Sequence, residues 1–309
     1  LGYNINDRNR NSLYAGTQNF LVNSDLQNFN NGVAPFDVAN NLNHIRSNRL
    51  YSIFAFDIFK QVFLSVSGTQ EAASTMSGTY FYPSMDLAWQ FSSLPDFVND
   101  VFSFGKLRFS YGQVGVQPTT YKFGTTYENF TYSTYDDALD INEFGGGFRL
   151  NDDQGNSNLK PEIKTEFEIG TDLRFFKDRL NIGLTYYRNE IKDILLAVNL
   201  SPSSGYLSKY ANAGRMENKG VELDFGYKII DKKTYGFDIY GNWNNNQNKV
   251  LDLAGVDRVA LTDQSITSNA IVGQPLGILF GSRASRNEDG TLKLDANGFP
   301  TLDPQQGVI

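Results

Sequence analysis

The stretch EFEIGTDLRFFKDRLNIGLTYYRNE, residues 166–190, alternates apolar and polar side chains on both sides of a charged centre. In its first arm Phe167, Ile169, Thr171, Leu173 and Phe175 share one face, while Glu166, Glu168, Asp172 and Arg174 share the other. A period of two marks a β-strand, because successive side chains leave opposite faces of the pleat. With Lys177 and Asp178 as the turn, Phe175 falls opposite Leu180, Leu173 opposite Ile182, Thr171 opposite Leu184 and Ile169 opposite Tyr186. Both arms then place their apolar residues on one surface of a long hairpin whose other surface is polar.

The design recurs at 219–248. Val221, Leu223, Phe225, Tyr227 and Ile229 alternate with Glu222, Asp224, Gly226 and Lys228; after a three-residue loop at 231–233, Tyr235, Phe237, Ile239 and Trp243 alternate with Asp238, Tyr240, Asn242 and Asn244. That loop predicts Ile229 opposite Tyr235, Tyr227 opposite Phe237 and Phe225 opposite Ile239. Alternating runs at 84–91 and 107–112, and a weaker pair at 48–59 and 62–68 joined near Lys60 and Gln61, bring the expected total to about nine strands, with no helix. The connections are tight at 60–61, 177–178 and 231–233 and long at 69–80, 113–161, 193–218 and 249–275, with 92–105 intermediate. Consecutive antiparallel strands emerge at opposite ends, so one end of the sheet carries tight turns and the other large loops. Outer-membrane barrels have this asymmetry.

Composition narrows the class. No apolar run among the 309 residues approaches the ~18 that a transmembrane helix needs, whereas a transmembrane strand is only ~9–11 residues long and half polar. A mean hydropathy of -0.38 fits a barrel as well as a soluble chain. A net charge of -7, with no basic run, argues against nucleic acid as a partner. The absence of Cys removes thiolate chemistry, and the single His44 leaves imidazole metal sites and Ser-His relays almost nothing to work with. A soluble secreted all-β glycan-binding or adhesin-like protein also alternates apolar-in and polar-out. Strand length favours the barrel: sandwich strands have ~5–6 residues, whereas about eleven residues, as at 165–175 and 180–190, tilted near 45° cover ~25 Å, the height of an apolar membrane band. Phe175, Phe176, Tyr186, Tyr187, Tyr235, Trp243, Trp89 and Phe91 cluster near strand ends, as interfacial girdles do.

The blocks NSNLKPEIKTEFEIGTDLRFFKDRLNIGLTYYRNEIKDILL, SPSSGY, NAGRMENKGVELDF and NWNNNQNKV, preceded by YFYPSMDLAWQFS and GKLRFSYGQVG, resemble in content and order the SusC/RagA-type TonB-linked outer-membrane transporters of Bacteroidota. The resemblance covers about 80–249. It implies an all-β, antiparallel transmembrane β-barrel in the bacterial outer membrane, of which this chain is a central segment of about nine strands out of an expected 22, without the N-terminal plug. It also implies import of glycan oligosaccharides or peptides, energy delivered through TonB, and a SusD-like surface lipoprotein acting as a lid. Glu166, Glu168, Asp172, Glu222, Asp224 and Asp238, against Arg174 and Lys228, are then expected to face the lumen or plug, with the aromatic face on lipid.

No enzyme emerges. The triplet GGG at 145–147 opens no helix and cradles no phosphate. The pairs Glu166 with Glu168 and Glu222 with Asp224 follow from lumen-facing alternation alone. No cofactor or metal is expected: Asp136, Asp137 and Asp140, or Asp152 and Asp153, offer oxygens for Ca²⁺ but lack EF-hand spacing. The segment EDGTLKLDANG at 288–298 reads as a small hairpin with DG and NG turn signals. The connection 113–161 is far longer than an ordinary loop. Its aromatics are interleaved with Thr, Asn and Asp, which singles out Tyr121, Phe123, Tyr127, Tyr132 and Tyr135 as candidate ligand-binding residues that offer a ring to stack and, on Tyr, a hydroxyl to hydrogen-bond.

Overall fold

The computed structural model describes residues 1–20, 31–130, 147–261, 267–303 and 307–308. Nine long strands run in sequence order through one antiparallel sheet: β1 (Gly2–Phe20), β2 (Gly32–Ile58), β3 (Val62–Ala73), β4 (Thr79–Trp89), β5 (Phe102–Val116), then β9 (Glu162–Phe175), β10 (Leu180–Asn199), β11 (Ser208–Asp231) and β12 (Gly236–Asp252). The β5–β9 connection carries a small hairpin, β6 (Tyr127–Phe130) with β7 (Gly147–Leu150), and the short β8 (Asp153–Gln154), which pairs in parallel with β11. Beyond β12, β13 (Arg258–Ala260), β14 (Thr267–Ile271), β15 (Ile278–Gly281) and β16 (Gly307–Val308) form a separate sheet. No α-helix occurs among the described residues, and two complete 3-10 turns lie at Phe91–Ser93 and Pro202–Ser204.

The hairpin at 166–190 has the register its alternation predicts: Phe175 pairs with Leu180, Leu173 with Ile182, Thr171 with Leu184 and Ile169 with Tyr186. The second hairpin differs. Tyr227 pairs with Ile239 and Phe225 with Gly241, two residues away from the expectation, because the tip closes beyond the pair Asp231–Gly236, three positions off, and a β-bulge between Lys228 and Ile230 takes one position back. A slip of two preserves the face of every side chain, so the apolar surface survives. The long connections shrink as well. Strands β10 and β11 extend to Asn199 and from Ser208, so the loop expected at 193–218 narrows to 200–207, and that at 69–80 narrows to 74–78.

One row of the sheet fixes its relation to a bilayer. Through successive pairings, Ile58, Val62, Trp89, Leu107, Thr171, Leu184, Leu223 and Trp243 stand side by side across eight strands on the apolar face. On β2 this row lies at the tight-turn end, one residue before the turn at 59–61; on β12 it is the last apolar position before Asn245 and Gln247. Seven inter-strand steps of ~4.8 Å make ~34 Å, which strands tilted near 45° convert into a climb of ~24 Å, about the height of a membrane band. Higher up, the row Phe54, Val66, Met85, Tyr111 and Phe167 continues into Arg188, Lys219 and Gln247. Cations replace apolar groups where the tilted row leaves the band.

Among the described residues no second layer covers this face: Phe225, Tyr227, Phe237, Ile239 and Trp243 are all exposed, and the buried apolar cluster of Val250, Leu253 and Ala270, flanked by Leu196 and Val259, lies beyond the band. A sandwich would bury the same rings between two sheets. At the tight-turn end Trp89, Phe91, Phe97, Phe102 and Phe175 form a chain of ring contacts with centroids 5.2–5.8 Å apart. This is the aromatic girdle expected at an interface.

Candidate functional site

The polar face of the wall is a network of charges. Lys106 and Arg108 of β5, which alternation alone does not pair with β9, lie 2.9 and 3.1 Å from Asp172, and Arg108 also lies 3.5 Å from Glu168. Expectation had set the acids of this face against Arg174 and Lys228; Arg174 instead stacks on Phe104, 4.8 Å from its centroid. Glu222, Asp224 and Asp238 of β11 and β12 have no ion-pair partner among the described residues, so the acids there stay in excess. On the other side of β5, toward β2, the residues Asp57, Ser65, Asp86, Arg108, Ser110 and Glu168 line a hollow of about 580 Å³.

The loop end is built by the long connection, whose two limbs are tied to the strand rim and to each other. Pro118, Leu159 and Pro161 are fully buried, and the backbone N–H and hydroxyl of Ser77 both donate to the Leu159 carbonyl, at 3.0 and 3.2 Å. Asn212 of β11 accepts from the Lys160 N–H and donates to the Lys160 and Asp193 carbonyls. The Asn156 N–H donates to the Lys122 carbonyl, and the Gly155 N–H to Oγ1 of Thr125. Gly155 lies so close to Gly124 that a Cβ there would stand 2.2 Å from the Gly124 carbonyl carbon, an approach only glycine permits. Lys122 lies 3.1 Å from Asp153 and over the ring of Tyr210. The hydrogen bond from Ser208, and next that from Lys122, hold the Asp153 carboxyl below the usual 3.8.

These ties enclose a hollow of about 330 Å³ floored by Ser74 and Thr75 of the β3–β4 connection and walled by Thr119 and Tyr121 to Thr126. Of the residues singled out by sequence, Tyr121 and Phe123 line it together. Tyr121 is 56% exposed and has φ of 60°, a left-handed backbone that costs a non-glycine residue ~1–3 kcal/mol and persists where surroundings enforce it. Tyr127 stands apart on β6, 70% exposed. Tyr132 and Tyr135 lie outside the described residues, as do Asp136, Asp137 and Asp140. Asp152 and Asp153 face Arg149 and Lys122, 3.3 and 3.1 Å away, rather than one another's oxygens. The contribution of Ser74 and Thr75 left no trace in the sequence, because it depends on a contact between distant connections.

At 288–298 the structure has two successive turns, Asn287–Thr291 and Asp295–Phe299, with the TLKL segment as the middle limb between them. A tilted, lipid-facing wall with one built-up rim matches, over residues 1–285, the model of the family described as TonB dependent receptor-like, beta-barrel. The chain belongs to that family. The TonB-dependent receptor barrel is 27% identical over 255 residues to a TonB-dependent receptor of Formosa agariphila, covering 78% of this chain and 24% of the relative. It is 26% identical over 181 residues to the TonB-dependent receptor SusC of Bacteroides thetaiotaomicron, covering 57% of this chain and 18% of that one. The solved RagAB peptide importer in its open-open state superposes with a TM-score of 0.76 at 18% identity, covering 99% of this chain and 34% of that chain. The chain spans about a quarter of the length of the Formosa relative. Family and fold decide between the two architectures left open by alternation: this is an outer-membrane β-barrel wall and not a soluble sandwich.

Proposed function

We propose that the protein is a SusC-type TonB-dependent importer that takes up glycan oligosaccharides or peptides, with a SusD-like surface lipoprotein closing over the loop end and TonB supplying energy from the periplasmic side. The observation that carries this reading is the rim. A hollow pairing the rings of Tyr121 and Phe123 with the hydroxyls of Ser74, Thr75, Thr119, Thr125 and Thr126 stands at the loop end of a lipid-facing wall. Rings stack on the apolar faces of sugars or side chains, and hydroxyls answer their polar edges. The similarity to SusC and to the RagAB peptide importer supports it. In this proposal Tyr127, Tyr132 and Tyr135 also contribute to ligand binding. No covalent step is assigned to the protein, so cargo passes unchanged.

The test is uptake by cells carrying the intact gene. Labelled oligosaccharide or peptide mixtures should accumulate in a TonB-dependent manner, the protein should partition into detergent micelles from outer membranes, and the imported compound should be recovered intact. Recovery of the protein as a folded monomer from the soluble fraction would sink the importer reading.

A further inference from the structure

At the tight-turn end, the turn between β9 and β10 and the tip of the β11–β12 hairpin enclose a hollow of about 600 Å³. Its apolar floor is Phe176, Ile229 and Ile230; the last two stand side by side because the bulge after Lys228 breaks the alternation there. Three cations line it: Lys177, Arg179 and Lys232. The Arg179 guanidinium is held in place, with Nε donating to the Lys228 carbonyl at 3.2 Å and Nη2 to the Ile229 carbonyl at 2.7 Å, and Nη1 has no protein acceptor among the described residues. Lys177 lies 3.1 Å from Asp100, and the Lys232 side chain has no partner among the described residues. Asp100 and Asp231 complete the lining.

We infer that this hollow holds the headgroup end of a glycerophospholipid from the leaflet that meets the tight turns, an assignment that rests on the outer-membrane importer reading. A pre-oriented guanidinium beside two ammonium groups suits a phosphate diester. The two carboxylates suit the ammonium of an ethanolamine headgroup. Free phosphate has no use for the floor, whereas Ile229 continues the exposed apolar column of Phe225 and Tyr227, the face that the importer reading gives to acyl chains. The ring of Phe176 adjoins that of Phe175, at the end of the aromatic girdle.

The test is native mass spectrometry of the full-length protein in mild detergent, with phosphatidylethanolamine added, comparing wild type with the Lys177→Gln/Lys232→Gln double variant; Arg179 is left alone because it also ties two backbone carbonyls. Wild type should keep a bound phospholipid through delipidation that strips other lipids, excess inorganic phosphate should not displace it, and the variant's bound fraction should fall about tenfold, as expected from losing two charge-assisted contacts. Equal retention by two micelle-borne, heat-modifiable barrels overturns the lipid site alone. Displacement by inorganic phosphate also overturns it, in favour of a free-anion site. Failure of the wild-type protein to enter micelles overturns the importer reading and the lipid site together.

Discussion

Phe225→Arg tests the orientation of the whole wall. On β11 the outward column runs from Lys219 through Val221, Leu223, Phe225 and Tyr227 to the bulge at Ile229. Phe225 lies six residues below Lys219, ~20 Å along the strand and ~14 Å down the membrane normal at a 45° tilt, in a column ~24 Å tall. That puts it near mid-membrane, where its ring also covers Gly241: a Cβ at Gly241 would come within 2.7 Å of the Phe225 ring. Arginine there should cost ~2–4 kcal/mol, whereas Val221→Arg, one outward position below Lys219, should cost ~0–1 kcal/mol. Asp224→Asn on the polar face should change stability by less than ~0.5 kcal/mol. The assay is equilibrium urea unfolding of the intact barrel in phospholipid vesicles, followed by tryptophan fluorescence. Equal costs for Phe225→Arg and Val221→Arg, or an Asp224→Asn cost as large as either, would refute the depth and the face assigned to this strand.

The rim supplies three further predictions. Gly155→Ala forces a methyl into the Gly124–Thr125 backbone and should cost ~1–3 kcal/mol of local packing, seen as protease cleavage within 117–161 with the barrel's own melting unchanged; an unaltered digestion pattern counts against the close approach. Because the Asp153 carboxyl titrates below 3.8 in the folded rim, its contribution is complete above that value and is lost as pH falls through its lowered pKa. Protease protection of 117–161 should therefore stay flat from neutral pH to about pH 4 and decline below it, and Asp153→Asn should abolish that decline; a loss of protection already beginning near neutral pH would contradict it. Simultaneous replacement of Tyr121, Tyr127 and Tyr132 by Ala should leave surface level normal and weaken ligand binding, whereas normal surface level with unchanged binding of substrate and lid would remove these residues from the site.

Alternation could be read wherever a strand lies in lipid and was mute wherever it does not. The 166–190 hairpin was legible to the residue because its whole length separates an apolar face from a polar one. Strand β1 has Asn9, Arg10 and Asn11 in its middle, and above Arg188 and Lys219 strands β10 and β11 lose strict alternation, with Ile194 to Val198 apolar without a break and the register shifting at Ile194, so no period of two distinguishes strand from loop. The stretch 193–218 reads as a long connection for that reason. The bulge after Lys228 was equally silent, since an unpaired extra residue depends on how the tip closes, here with the Lys232 N–H on the Tyr235 carbonyl. In the candidate site, Tyr121 and Phe123 were visible as aromatics among hydroxyls. Their floor of Ser74 and Thr75 was not, because proximity across a sheet rim leaves no periodicity.

Every long strand pairs with the next long strand in the chain, even where residues 117–161 intervene between β5 and β9. Closing that connection instead of one as short as 74–78 costs only ~2 kcal/mol of extra loop entropy, because the penalty grows with the logarithm of length, and β5 and β9 repay it through the ladder from Phe102–Phe175 to Val116–Glu162. A segment at the rim can therefore be lengthened, exchanged or deleted between two strands while the shear of the barrel stays fixed. Under the proposed importer function, selection for a new cargo acts on the rim without renegotiating the wall.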